Sequence, residues 1–133
     1  MSADEEIMPL EGLCILVVED EIDLRDVFAD FLESHGAHVF SAQDGVEALD
    51  LLLKHNFHVV LSDIQMPHKD GISLFEEAKR SLPIVPKFMF MTGYTTYSEE
   101  SVLALGAVQL LTKPFLFDKL LRTISSAVQD TKP

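Results

Sequence analysis

Leu13-Cys14-Ile15-Leu16-Val17-Val18-Glu19-Asp20-Glu21 is the stretch on which the reading of this 133-residue chain turns. Apolar residues run without interruption from Leu13 to Val18, and then three acids stop them. A continuous apolar run fits a strand buried on both faces of a parallel sheet, because a strand with one wet face would alternate. Beyond the acids, Leu24, Val27, Phe28, Phe31 and Leu32 recur at helical spacing, and Gly36 closes that stripe as a C-cap.

The same unit then repeats. Ala37 to Ala42 reads as a second strand, and Asp44-Gly45 opens a helix carrying Val46, Leu49, Leu52 and Leu53. Phe57 to Ser62 is a third strand ending at Asp63, followed by loop signals at Met66-Pro67 and Asp70-Gly71 and a helix from Ile72 to Arg80. Pro83 and Pro86 bracket the turn into a fourth strand, Lys87 to Met91, which ends at Thr92-Gly93. A short helix near Ser98 to Leu105, a fifth strand from Ala107 to Leu111 and a last helix marked by Phe117, Leu120, Leu121, Ile124 and Val128 complete the pattern. Strands alternating with helices predict a doubly wound α/β domain, (βα)5, with a five-stranded parallel sheet in the flavodoxin-like order 2-1-3-4-5. The expected division is an acidic tail over 1–11, one domain over 12–129 and a short tail over 130–133. Few residues follow Val128, so no output module is expected within this chain.

Composition narrows the function. The net charge is −12, and residues 1–33 hold eleven acids against the single base Arg25. Such a balance repels phosphate backbones and argues against direct nucleic-acid binding. The bland reading, solvated acids on a tail and a helix face, covers Asp4, Glu5, Glu6 and Glu11. The acidic start has no positive segment before an apolar one, so no secretory leader is expected. The longest apolar run is far too short to span a bilayer, so no membrane partner is expected either. The single cysteine, Cys14, places no demand for an oxidising compartment, and a cytoplasmic protein is expected.

Sheets of this kind keep their chemistry beyond the C-terminal strand ends, where the winding reverses. Glu19-Asp20 follows the first strand, Asp63 the third, Thr92 the fourth and Lys113 the fifth. As helix caps alone these carboxylates would need no convergence, although Asp20 also stands where a cap would. Strands 1 and 3 are neighbours in the expected order, and carboxylates brought together repel unless neutralised. Oxygen ligands suit a hard cation, and Mg²⁺ takes one or two carboxylates with waters and phosphate oxygens. Two classes fit: a Mg²⁺-dependent phosphatase-like α/β hydrolase with Asp63 as nucleophile, or a domain that accepts a phosphoryl group on its own aspartate. Pattern alone leaves both open.

Four segments, Ile15 to Glu21, Leu61-Ser62-Asp63-Ile64-Gln65-Met66-Pro67, Met91-Thr92-Gly93 and Thr112-Lys113-Pro114-Phe115, together resemble the signature of response-regulator receiver domains. The motifs stand in the family's order, each at the end of the corresponding strand, and the resemblance runs from Leu10 to Val128. It implies that Asp63 accepts a phosphoryl group from a histidine kinase or a histidine phosphotransfer protein. It also implies Mg²⁺ held by Asp20 and Asp63, by Glu19 through water and by the backbone carbonyl of Gln65. Lys113 would steady the phosphoryl charge, Thr92 would donate its hydroxyl to the transferred group, and the peptide before Pro114 would be cis. The implied role is a phosphorylation-controlled switch acting on a downstream protein target, with homodimer formation on phosphorylation left open, and not an enzyme on external substrates. The hydrolase reading is weakened because Gln65 stands where such enzymes want a second acid.

Two positions depart from the family pattern. Leu110 stands where many receivers carry an aromatic residue three places before the lysine, and is expected to pack against the last helix. Glu19 replaces a frequent aspartate. A bulky Tyr94, two residues past Thr92, is expected to slow loss of the phosphoryl group. The pairs His35-x-x-His38 and His55-x-x-His58 fall at helix-to-strand connections on the opposite rim, and a spacing match alone does not supply the four closed ligands of a zinc site. Cys14, Met89 and Met91 read as core filling, and His68 as an exposed loop residue.

Overall fold

The computed structural model describes residues 8–93 and 97–129. Five strands alternate with five helices: β1 Cys14–Val18, α1 Ile22–Ser34, β2 His38–Ala42, α2 Gly45–Lys54, β3 Val59–Asp63, α3 Gly71–Ser81, β4 Lys87–Thr92, α4 Glu99–Ala104, β5 Gln109–Thr112 and α5 Phe117–Gln129. All strand pairs are parallel, in the order β2-β1-β3-β4-β5.

Strand parity explains why the strands read as unbroken apolar runs. Leu16, Val18, Val60, Phe88 and Phe90 point to one face, where they meet Leu52 of α2, Leu74 and Phe75 of α3 and Val102 of α4. Ile15, Val17, Leu61, Met89 and Met91 point to the other, against Phe28 and Leu32 of α1 and Leu120 and Ile124 of α5. Both faces of the central strands are covered, so residues 14–18, 59–61 and 88–91 are apolar throughout, whereas the edge strand β2 leaves His38 and Ser41 exposed.

Several local expectations are corrected. The fifth strand begins at Gln109 rather than Ala107. Leu110 does not join the residues of α5; its parity sends it to the face of Val102 and Phe90, and Leu111 is the neighbour that meets Leu120. Cys14 opens β1 at the sheet margin and is half-buried rather than enclosed, and burial pushes its thiol above the ordinary range. Asp20 does not cap α1: the N-cap is Glu21, which makes no side-chain cap bond. Leu10 is fully buried and its amide donates to the His35 carbonyl at 2.8 Å, so the chain just before β1 packs onto the end of α1. Asp4, Glu5, Glu6 and Tyr94 lie outside the described residues.

Candidate functional site

The register aligns the strand ends. Val18 is level with Ser62, which places Glu19 beside Asp63; Asp63 is level with Met91, and Thr92 with Thr112. The Lys113 amide donates to the Thr92 carbonyl at 2.7 Å, carrying the ladder one residue further. Glu19, Asp63, Thr92 and Lys113 therefore reach one rim because each ends or follows a neighbouring strand.

Glu19 is held at every polar atom. Its amide donates to the Ala42 carbonyl at 3.1 Å, and its carbonyl accepts from the Arg25 guanidinium at 2.9 Å. Its carboxylate accepts from the Lys113 ammonium at 2.8 Å through Oε1 and from the Glu21 amide at 3.1 Å through Oε2. That last bond satisfies a helix-start donor, which is why α1 begins without a conventional cap. Glu19 is 1% exposed, and burial pushes its carboxyl above the ordinary glutamate range against the pull of Lys113 and the Glu21 amide. Asp63 is buried and accepts from Lys113 at 3.0 Å through Oδ2. For Lys113, burial works against the charge, but the bonds to Glu19 and Asp63 outweigh it and hold the ammonium above the ordinary lysine value.

Asp20 stands exposed at the mouth. Ligand oxygens of Glu19, Asp20 and Asp63 all lie within 4.8 Å of one another, the one such group of potential metal ligands among the described residues. Three carboxylates against one ammonium leave excess negative charge, and an all-oxygen donor set suits a hard cation such as Mg²⁺. The residues present fit that ion.

Behind Asp63, Gly71 starts α3 with its amide bonded to the Ile64 carbonyl at 2.8 Å. A Cβ there would lie 3.0 Å from the Phe90 ring and 3.1 Å from Ser62 Oγ, and closer still to the Asp63 carbonyl oxygen. Thr92 is buried at the end of β4, and the Lys113–Pro114 peptide is cis. Gln65 is exposed in the loop after β3. A cavity of about 890 Å³ beside Thr92 is lined by Leu110, Tyr97 and Lys119 among others.

Three partners of this region were not read from the sequence. Arg25 braces the Glu19 carbonyl, the Glu21 amide satisfies its carboxylate, and His68 Nδ1 lies 3.0 Å from Asp44 Oδ2. Only Arg25 carried a signal, as the one base in the acidic first third. The paired histidines form no group of three potential ligands among the described residues. His58 Nδ1 instead accepts from the Cys14 amide at 2.9 Å, and His35 contacts the Phe31 carbonyl.

Comparison with known proteins agrees with this geometry. The chain is 36% identical over 123 residues to the transcriptional regulatory protein ZraR of Klebsiella oxytoca, covering 92% of this chain and 28% of that protein. The receiver domain of the Francisella response regulator 1452 superposes with a TM-score of 0.83 at 28% identity, covering 91% of this chain and all of that one. The response regulator TrrA of Thermotoga maritima, solved in complex with Mg(2+)-BeF, gives 0.77 at 28% identity, covering 86% of this chain and 98% of that one. The hydrolase alternative gains no support from any of these or from the exposed amide of Gln65. Residues 15–125 match the family described as the response regulator receiver domain, and the chain belongs to that family.

Proposed function

We propose that residues 12–129 form a phospho-accepting switch in which Asp63 takes a phosphoryl group from a phosphohistidine. The observation that carries this reading is the position of Asp63: buried at the end of β3, bonded to Lys113, and within ligand distance of Glu19 and Asp20. An Asp63 carboxylate oxygen attacks phosphorus, a P–O bond forms, the P–N bond breaks, and the leaving imidazole takes up a proton. Asp20 and Asp63 would hold Mg²⁺ directly with the Gln65 carbonyl. Glu19, whose two oxygens already serve Lys113 and the Glu21 amide, would act through water. The cation, when bound, offsets the charge on the transferring phosphoryl group. Lys113 stays protonated and presents its ammonium to the attacking Asp63 carboxylate. Thr92, buried at the end of the adjacent strand, supplies a hydroxyl for the transferred group.

The chain spans 28% of the length of the ZraR protein it matches, so the donor, a histidine kinase or histidine phosphotransfer protein, and the downstream protein target are part of this proposal. So are the absence of turnover on external substrates, a phosphorylation-dependent homodimer and a cytoplasmic site of action. Among the described residues no helix is long and apolar enough to cross a membrane. The test is incubation with acetyl phosphate and Mg²⁺ followed by intact-mass measurement. One added phosphoryl group, absent in Asp63→Asn, is expected; turnover of a small phosphate ester without a covalent adduct overturns the reading.

A further inference from the structure

A side-chain ligand can re-aim by changing rotamer, but a backbone ligand goes where its loop goes. The Gln65 carbonyl belongs to the loop between β3 and α3, which is pinched at its base by the bond from the Gly71 amide to the Ile64 carbonyl. At its tip His68 has φ 71°, the one positive φ outside glycine among the described residues. Around it the Lys69 amide donates to the Pro67 carbonyl at 2.8 Å. A three-residue turn of this kind with a positive central φ is the rare, strained γ-turn, and such backbone persists only where its surroundings hold it.

Two contacts hold this one. Lys69 pairs with Glu77 on α3, and His68 Nδ1 lies 3.0 Å from Asp44 Oδ2. Asp44 is a fixed post. It is buried, and its other oxygen caps α2 by accepting from the Glu47 amide at 2.9 Å. Beside it, a Cβ on Gly45 would come within 2.6 Å of the Lys69 carbonyl, so the loop and the start of α2 approach with no room for a side chain.

We propose that the His68–Asp44 pair is a latch that sets the pose of this loop and thereby aims the Gln65 carbonyl at the cation. His68 is then a positioning residue for metal binding, an inference that rests on the Mg²⁺ reading above. Its side chain is 70% exposed while that of Asp44 is 9% exposed, so the latch is one partly solvated, charge-assisted bond and its effect is moderate.

The test compares His68→Gly and His68→Asn in the full chain. Glycine accepts the positive φ and deletes the donor. Asparagine tolerates that φ better than most side chains, and its Nδ2 stands at the branch position of the imidazole Nδ1. Mg²⁺ alone is titrated by calorimetry, and amide hydrogen exchange over residues 65–70 is followed without metal. His68→Gly is expected to exchange faster in that loop and to bind Mg²⁺ about threefold to fivefold more weakly, the scale of one partly screened bond. His68→Asn is expected to restore both. Faster exchange with unchanged Mg²⁺ affinity overturns the positioning role, and unchanged exchange overturns the latch itself. A wild-type chain that takes up no Mg²⁺ overturns the cation reading beneath the proposal, an outcome distinct from either.

Discussion

Glu19 and Asp63, from adjacent strands, accept hydrogen bonds from the same Lys113 ammonium, at 2.8 and 3.0 Å. One cation thus tethers two buried carboxylates, and its removal should cost more than the loss of a surface pair. Breaking a buried pair typically costs about 3–5 kcal/mol. Lys113 is 22% exposed, so water recovers part of that, and Lys113→Met is expected to destabilise the metal-free protein by about 1–3 kcal/mol. Urea denaturation measures this, and Mg²⁺ should recover a larger share in the variant than it adds to wild type. A variant as stable as wild type without metal would show that the ammonium does not offset carboxylate repulsion.

Asp44 gives a prediction with a defined sign in pH. The Glu47 amide and then the His68 imidazole hold its carboxyl below the ordinary aspartate range. A group lowered on folding contributes stability that is present above its unfolded pKa, ~3.9, and lost as pH falls through the folded value. Asp44→Ala, which also deletes the α2 cap, is expected to cost about 1–2 kcal/mol at neutral pH. Its deficit against wild type should shrink below about pH 4. Denaturation series from pH 7 to pH 2 check this; a constant deficit would assign the whole effect to packing.

Gly71→Ala tests the backing of the acceptor strand. The added Cβ meets the Phe90 ring, Ser62 Oγ and the Asp63 carbonyl oxygen, of which the last cannot move without moving β3. Overpacking of this kind costs about 1–3 kcal/mol. The expected outcome is that loss in urea together with slower acetyl phosphate labelling of Asp63. Normal labelling in a destabilised variant would show that the acceptor's position does not depend on how α3 starts.

The fold was legible because the central strands β1, β3 and β4 are buried on both faces, so Ile15 and Leu16 are both apolar although they serve opposite layers. The same fact hid strand parity. Leu110 and Leu111 are equally apolar, and only the register showed which one meets α5. The site was legible wherever a functional residue ends a strand, as Asp63 does, or directly follows one, as Glu19 and Lys113 do. It was not legible where side chains of one element reach atoms of another, as Arg25 does to the Glu19 carbonyl and His68 to Asp44. Such contacts leave no period in the sequence.

The convergence of Glu19, Asp20 and Asp63 within 4.8 Å exists only in the folded chain, so a cation that binds it should stabilise the fold. Binding to the native state alone adds RT ln(1 + [L]/Kd), about 1.4 kcal/mol when Mg²⁺ is tenfold above its Kd. For a domain of this size that is a rise of roughly 3–8 °C in Tm. Asp20 is exposed and its side chain has no hydrogen-bond or ion-pair partner among the described residues, so it loses little when neutralised and Asp20→Asn should fold as well as wild type without metal. It should also forfeit most of the Mg²⁺-dependent rise. Thermal unfolding of both proteins across a Mg²⁺ series separates the two effects. A wild-type midpoint indifferent to millimolar Mg²⁺ would remove the cation from the mechanism, whereas equal rises in both proteins would remove only Asp20 from its ligands.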